Sequence, residues 1–313
     1  MDTYTNFNFK KEKSDMKIRL LSGSVYVAIL VAFFCLKICL PAPYGDFAFD
    51  ALIYAFALLG AYEMLRAVKD KTTKTERIIV LAYAFITVPV CAACEYLGGK
   101  GFFAATVCFV ALALALTFLL VAAHETTTLE SVGLSLFSAF YPVFLLTFLV
   151  LCNHEAGVAR FARFGFDSRL MILLIFIISP CADSIAYVFG ICFKKYLPKK
   201  MAPKLSPNKT VIGGIGGLVG GMLGALILYF IYGATAGSYD KMSVVLPMFL
   251  LIGLGAAVAT AFGDLVESSI KRKVGLKDMG KIMPGHGGAL DRIDGTLFAT
   301  LVVYLAFQIL FLL

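Results

Sequence analysis

Nine uninterrupted apolar runs constrain this chain more than any other feature. They lie near residues 18–40, 47–66, 78–97, 102–123, 132–152, 169–190, 211–232, 244–266 and 293–313. A helix needs about 20 apolar residues to cross the hydrocarbon core of a bilayer. Lipid offers the backbone no hydrogen-bond partner, so each run must be helical or belong to a closed barrel. Barrel strands are shorter and alternate in polarity, and these runs do neither. The expected fold is therefore all-α: a polytopic integral membrane protein of about nine transmembrane helices. Composition agrees, with 60% hydrophobic residues, 15% charged residues and a mean hydropathy of +0.88.

The net charge of +8 follows a pattern along these runs. With a cytoplasmic N-terminus and nine spans, the outer side keeps only Lys37, Lys100, Arg160, Arg163, Arg169 and Lys241, and every other Lys and Arg of the 28 falls on the inner side. Cytoplasmic loops carry an excess of cations, so this orientation is the expected one. It also accounts for the basic balance without a nucleic-acid partner, and none is expected. The polar, lysine-rich residues 1–17 resemble a signal-peptide leader in charge only. The run that follows is too long, and a retained first helix is expected.

The eight cysteines all fall in or at the ends of apolar runs, which reads as packing rather than a disulfide framework. Two parts are expected beyond the N-terminal tail: a transmembrane scaffold over 18–165, and a half over 166–313 that carries nearly all the unusual polar residues. Polar loops are expected at 191–210 and 267–292. In the first part Glu63, beside Arg66, reads as an i,i+3 pair near the membrane surface. Gly213, Gly217 and Gly221 share one helix face, and Gly253, Ala257 and Ala261 another. Such small-residue faces let helices approach closely, within one protomer or in a homodimer.

The polar stretch 268–294, SSIKRKVGLKDMGKIMPGHGGALDRID, interrupts this apolar background. Asp183 and Asp264 lie at the ends of apolar runs next to cationic loops, and carboxylates in a membrane span mark a site by default. Asp264, Glu267 or Ser268, and Lys271 share a helix face, as do Asp291 and Asp294, which flank Arg292. Two acids this close repel unless a cation joins them, and a divalent metal with hard oxygen ligands suits the place. Asp264, Asp291 and Asp294 are the expected ligands. Lys271, Arg272 and Lys277 supply cations next to Asp278, and His286-Gly287-Gly288 offers a turn whose backbone could approach a phosphate. Upstream, Ser206, Lys209 and Thr210 form a compact set of hydroxyls and one cation, and Tyr187 shares a face with Asp183. Cations and paired carboxylates in this arrangement suit a polyphosphate and its metal. The run of glycines near 213–217 is a poor Walker loop, lacking the Gly-Lys-Ser/Thr ending.

These residues resemble the signature of the phosphatidate cytidylyltransferase (CDP-diacylglycerol synthase) family. The resemblance runs through Ser268, Ile270-Lys271-Arg272, Lys277-Asp278, Gly280, Pro284, His286-Gly287-Gly288 and Asp291-Arg292-Ile293-Asp294. Asp183-Ser184 with Ala186-Tyr187, and Ser206-Pro207-Asn208-Lys209-Thr210 with Gly213, also look like family segments. Val211-Ile212 stand where the family often has Trp-Glu, so no ligand role is carried onto position 212. The resemblance implies transfer of a cytidylyl group from CTP to phosphatidate with Mg²⁺, a second cation being open, at the cytoplasmic face of a bacterial plasma membrane. The alternatives are a related CTP-dependent enzyme acting on another lipid, such as a CDP-archaeol synthase or a polyprenol kinase, and a secondary transporter that uses Asp183 and Asp264 as ion ligands.

Overall fold

The computed structural model describes residues 2–155, 167–193, 195–196, 199–203, 205–236, 242–285 and 287–312. Of the expected site residues, His286 lies outside them, as do the outer-loop cations Arg160, Arg163 and Lys241. Ten α-helices follow in chain order. They are α1 (Asp2–Cys39), α2 (Tyr44–Ala67), α3 (Lys74–Gly98), α4 (Gly101–Ala122), α5 (Leu129–Ala139), α6 (Leu145–His154), α7 (Ser168–Cys192), α8 (Val211–Ala236), α9 (Met242–Lys273) and α10 (Leu290–Leu312). Among the described residues, nine helical stretches are long and apolar enough to cross a membrane, and each falls on one of the nine apolar runs.

The fifth span is two helices in one. A π-helical turn over Phe140–Phe144 joins α5 to α6. Pro142 sits in that turn, where it has no N–H to donate and its ring crowds the preceding carbonyl. Widening the helix by one residue absorbs both problems.

The halves are built differently. In the first, α2, α3, α5 and α6 form an apolar core around residues such as Phe49, Ile53, Met64 and Tyr141. In the second, α8 is clasped between α7 and α9. The glycine faces explain how. A Cβ at Gly216 or Gly220 would strike α7 at Phe189 or Cys181, and one at Gly221 would strike Ala257 and the Gly253 carbonyl of α9. Gly221 and Gly253 are thus used for packing within one protomer, whereas Gly213, Gly217, Ala257 and Ala261 border a cavity. The last helix, α10, reaches α9, α7, α6 and α2 and so ties the two halves together.

Two helices differ from the expected boundaries. The apolar run of α9 ends near 266, but the helix continues to Lys273. Its last two turns bring Glu267 inward to 1% exposure, where buried partners replace lipid. The helix α10 begins at Leu290 rather than 293 and takes Asp291 into its first turn. The loop before α8 adds a small antiparallel ribbon, β1 (Lys200–Ala202) with β2 (Ser206–Thr210), paired Lys200 to Thr210 and Ala202 to Ser206. All eight cysteines are free thiols.

Candidate active site

The site forms where α9 ends and α10 begins, with the β1–β2 ribbon beside α8 bringing Lys209 to Asp264 of α9. On the inward face of α9, Lys271 Nζ donates to Glu267 Oε2 at 2.5 Å and to Asp291 Oδ1 at 2.8 Å. Lys271, one turn beyond Glu267, therefore neutralises two carboxylates that are almost wholly buried, at 2% and 4% side-chain exposure. The second Asp291 oxygen accepts from the Met279 and Gly288 amides at 2.9 and 2.7 Å. The loop that links α9 to α10 is thereby folded back onto the start of α10.

The turn 283–287 is closed by a pair of backbone hydrogen bonds between Met283 and Gly287, at 2.9 and 3.1 Å. Gly285 and Gly287 have φ of 76° and 92°, a region that side chains with a Cβ rarely adopt. The amides of Gly287 and Gly288 were expected to face a phosphate. Here they are engaged by the Met283 carbonyl and by Asp291, so the glycines serve the geometry of the turn. From outside, Ser22 of α1 donates its hydroxyl to the Pro284 carbonyl at 2.9 Å.

Glu63 corrects the sequence reading most sharply. No ion pair joins it to Arg66. Its carboxylate, 1% exposed, accepts from the Ala289 and Leu290 amides at 3.0 and 2.9 Å. These are unpaired amides at the start of α10, where a helix presents partial positive charge. A Cβ on Gly280 or Gly288 would run into that carboxylate, which explains glycine at both positions. Replacing Glu63 by Gln turns one acceptor into a donor facing an amide. The expected loss is about 1–3 kcal/mol of stability, read as a lower thermal midpoint in detergent together with faster amide exchange over residues 279–290.

The remaining expected residues divide into two groups. Lys209 on β2 pairs with Asp264, and Asp264 also accepts from Ser268 at 3.4 Å. Asp183 on α7 lies within electrostatic reach of Asp264, Lys209 and Arg292. Asp294 is next to Glu267 and Asp264, and one of its oxygens accepts from the Gly295 amide at 2.8 Å. Thr210 caps α8, its hydroxyl oxygen accepting from the Gly213 amide at 3.1 Å. By contrast, Arg272, Lys277 and Asp278 are exposed, and Ser206 stays in the ribbon, half-buried.

Two cavities of about 630 Å³ each meet at Asp183. One is lined mainly by small and apolar residues of α7, α8 and α9, with Tyr187, Lys209, Thr210 and Thr260 as its polar groups beside Asp183. The other runs along α1 and α7 past Tyr26, Phe34 and Phe176, and carries Asp291, Arg292 and Asp294 at its polar end. The Nε of Arg292 and the Oε1 of Glu267 are buried with no protein partner.

Metal ligation gives a divided result. Among the described residues no three acid, His or Cys side chains form a group that could hold a metal, so Asp264, Asp291 and Asp294 are not gathered as expected. The reason is visible at Asp291, whose oxygens are taken by Lys271 and two amides. In charge, however, the site suits a divalent cation. Five carboxylates (Asp183, Asp264, Glu267, Asp291 and Asp294) face three cations (Lys209, Lys271 and Arg292), and Glu267 keeps an unpartnered oxygen. Magnesium commonly takes only one or two protein carboxylates, the rest being water and phosphate oxygens.

Sequence reasoning placed neither Glu63 nor Glu267 among the site residues. For Glu267 the spacing gives the face, three residues after Asp264 and four before Lys271, but not its burial.

Similarity to known proteins agrees with this geometry. The family model described as "Cytidylyltransferase family" matches residues 17–310. The phosphatidate cytidylyltransferase of Bacillus subtilis (strain 168) is 31% identical over 293 residues, which cover 93% of this chain and 97% of that protein. The phosphatidate cytidylyltransferase of Thermotoga maritima is 34% identical over 171 residues, 54% of this chain and 57% of its own. That of Helicobacter pylori (strain J99) is 37% identical over 150 residues, 47% and 52% of the two chains. With a family match over nearly the whole length and a relative aligned from end to end, the chain belongs to the cytidylyltransferase family.

Proposed function

We propose that this membrane enzyme transfers the cytidylyl group of CTP to phosphatidate, giving CDP-diacylglycerol and pyrophosphate. The observation that carries the reading is the pair of cavities meeting at Asp183, one bordered by Lys209 and Thr210, the other running along α1 and α7 and ending at Arg292. The first suits a nucleotide. The second suits a lipid whose phosphate reaches the same point while its acyl chains stay along α1 and α7.

In the reaction an oxygen of the phosphatidate phosphate attacks the α-phosphorus of CTP. The bond from the α-phosphorus to the bridging oxygen breaks, and pyrophosphate leaves with that electron pair. Two anions must be brought together, so positioning and charge neutralisation dominate. Lys209 can leave Asp264 for a phosphate oxygen. Arg292, with an unpartnered Nε, can hold the other phosphate. Lys271 acts at one remove, by fixing Glu267 and Asp291 and through them the loop. Asp264 and Asp294 would hold Mg²⁺, which supplies further neutralisation of the triphosphate when bound.

The test is to incubate the purified protein with α-labelled CTP, phosphatidate and Mg²⁺. A labelled lipid product is expected, and its absence with phosphatidate but presence with another lipid phosphate would move the assignment to a related enzyme.

The site faces the cytoplasm in this reading, supported by the cation asymmetry between the two sides. In a variant lacking the exposed Cys35, Cys39 and Cys192, Lys100→Cys should react with an impermeant thiol reagent in intact cells. Lys281→Cys should react only after the membrane is opened. The reverse pattern would invert the topology.

A further inference from the structure

Away from the site, α2 and α3 enclose a shallow groove of about 390 Å³ that shares no residue with the two cavities. Four cations rim it: Arg66 in the last turn of α2, Lys69 in the connecting turn, and Lys74 and Arg77 in the first turn of α3. No ion pair among the described residues involves any of the four. Of the nearby acids, Asp70 is exposed beside Lys69 and forms no ion pair with the four, so four cations against one acid leave the rim net positive, and the other acids are engaged elsewhere. Glu63 holds the α10 amides, Glu76 is buried and accepts from Thr73 and Ser131, and Glu130 pairs with Lys71 at 2.9 Å.

The fold uses part of this arrangement, since Arg66 complements the dipole at the end of α2 and Arg77 Nη1 donates to the Lys69 carbonyl at 3.4 Å, but neither contact needs four cations around one groove. Like charges gathered in one groove repel, and cations in the first turn of a helix oppose its dipole. The groove is also apolar along its length. Tyr62 and Leu65 lie on α2 on the membrane side of Arg66, and Ile78 and Leu81 lie on α3 beyond Arg77. Tyr62 is 53% exposed and Ile78 66% exposed, so both are open to lipid. Charge at the level of the headgroups with an apolar track beneath it matches an anionic amphiphile. A soluble phosphate would use the rim and leave the track bare.

We propose that this groove binds an anionic phospholipid, its phosphodiester among Arg66, Lys69, Lys74 and Arg77 and an acyl chain laid over Tyr62 and Ile78. Juxtamembrane cations attract anionic headgroups, and here two helices hold four of them around one pocket. The proposal does not depend on the transfer reaction, since the groove is separate from the cavities at Asp183.

The chain contains no tryptophan, so a single Tyr62→Trp substitution gives a fluorophore unique to the groove. The variant is reconstituted in vesicles containing acyl-brominated phosphatidylglycerol or acyl-brominated phosphatidylcholine at equal mole fraction. Phosphatidylglycerol should quench about fivefold more effectively. A Phe118→Trp control, on the lipid-exposed surface of α4, should show no such preference. Adding Arg66→Gln and Lys74→Gln to Tyr62→Trp should remove the preference. Lys69→Gln alone, a milder change in a surface turn, should reduce it part-way and keeps the test open if the double variant does not fold. Millimolar inorganic phosphate should not displace the lipid. Equal quenching by both lipids, the same preference at Phe118→Trp, a preference that survives neutralisation, or displacement by phosphate would each overturn the proposal.

Discussion

Asp264→Asn should lower kcat for cytidylyl transfer about a thousandfold, the scale expected when an electrostatic element of a transition state is lost. The amide keeps the shape but removes the charge that pairs with Lys209 and that would bind the metal. Stability should hardly change. Both partners of the Lys209–Asp264 pair are about a third exposed, at 28% and 32%, and such pairs contribute under about 1 kcal/mol. The measurement is steady-state transfer at saturating Mg²⁺ beside a thermal unfolding curve in the same detergent. Turnover near that of the parent protein would remove Asp264 from the mechanism. A collapsed unfolding curve would make it a structural residue.

Lys271→Ala should act in the opposite proportion, with stability falling first. It leaves Glu267 and Asp291 buried without their cation, and breaking a buried pair from one side costs about 3–5 kcal/mol. The loop between α9 and α10 then loses the cation that holds the Asp291 carboxylate in place beneath it, so activity falls with stability. Adding Glu267→Gln should recover part of the lost stability, because one of the two stranded charges disappears; a double-mutant cycle measures the coupling. Arg272→Ala is the natural comparison, since Arg272 is adjacent in sequence yet exposed. As sequence, the two cations have equal standing, and the structure separates them. Equal unfolding midpoints for Lys271→Ala and Arg272→Ala would contradict this ion network.

The nine spans were readable because hydropathy over about 20 residues is a local property. The site was readable as a set of residues, because acids and cations are conspicuous against an apolar chain. Their pairing was less so. Glu63 reads as a partner for Arg66 because both lie within one turn, whereas its donors lie at the other end of the chain. Asp291 and Asp294 share a helix face by spacing but do different things. Asp291 holds the loop, whereas Asp294 faces Glu267 and Asp264. The expected end of α9 comes too early because polar residues in an apolar run suggest a boundary, and only burial against α10 shows that the helix goes on. The π-helical turn at Pro142 was not anticipated, since the apolar run continues through it without a break.

The carboxylate of Glu63 has a consequence for how the chain is made. Its donors, the amides of Ala289 and Leu290, lie 226 and 227 residues later. During synthesis from the N-terminus, α2 is inserted long before α10 exists. An acid held in a span is costly without partners, so every unfinished chain carries an unsatisfied group, and only arrival of the last helix resolves it. A product truncated before α10 is therefore exposed to quality control by the same side chain that braces the finished enzyme.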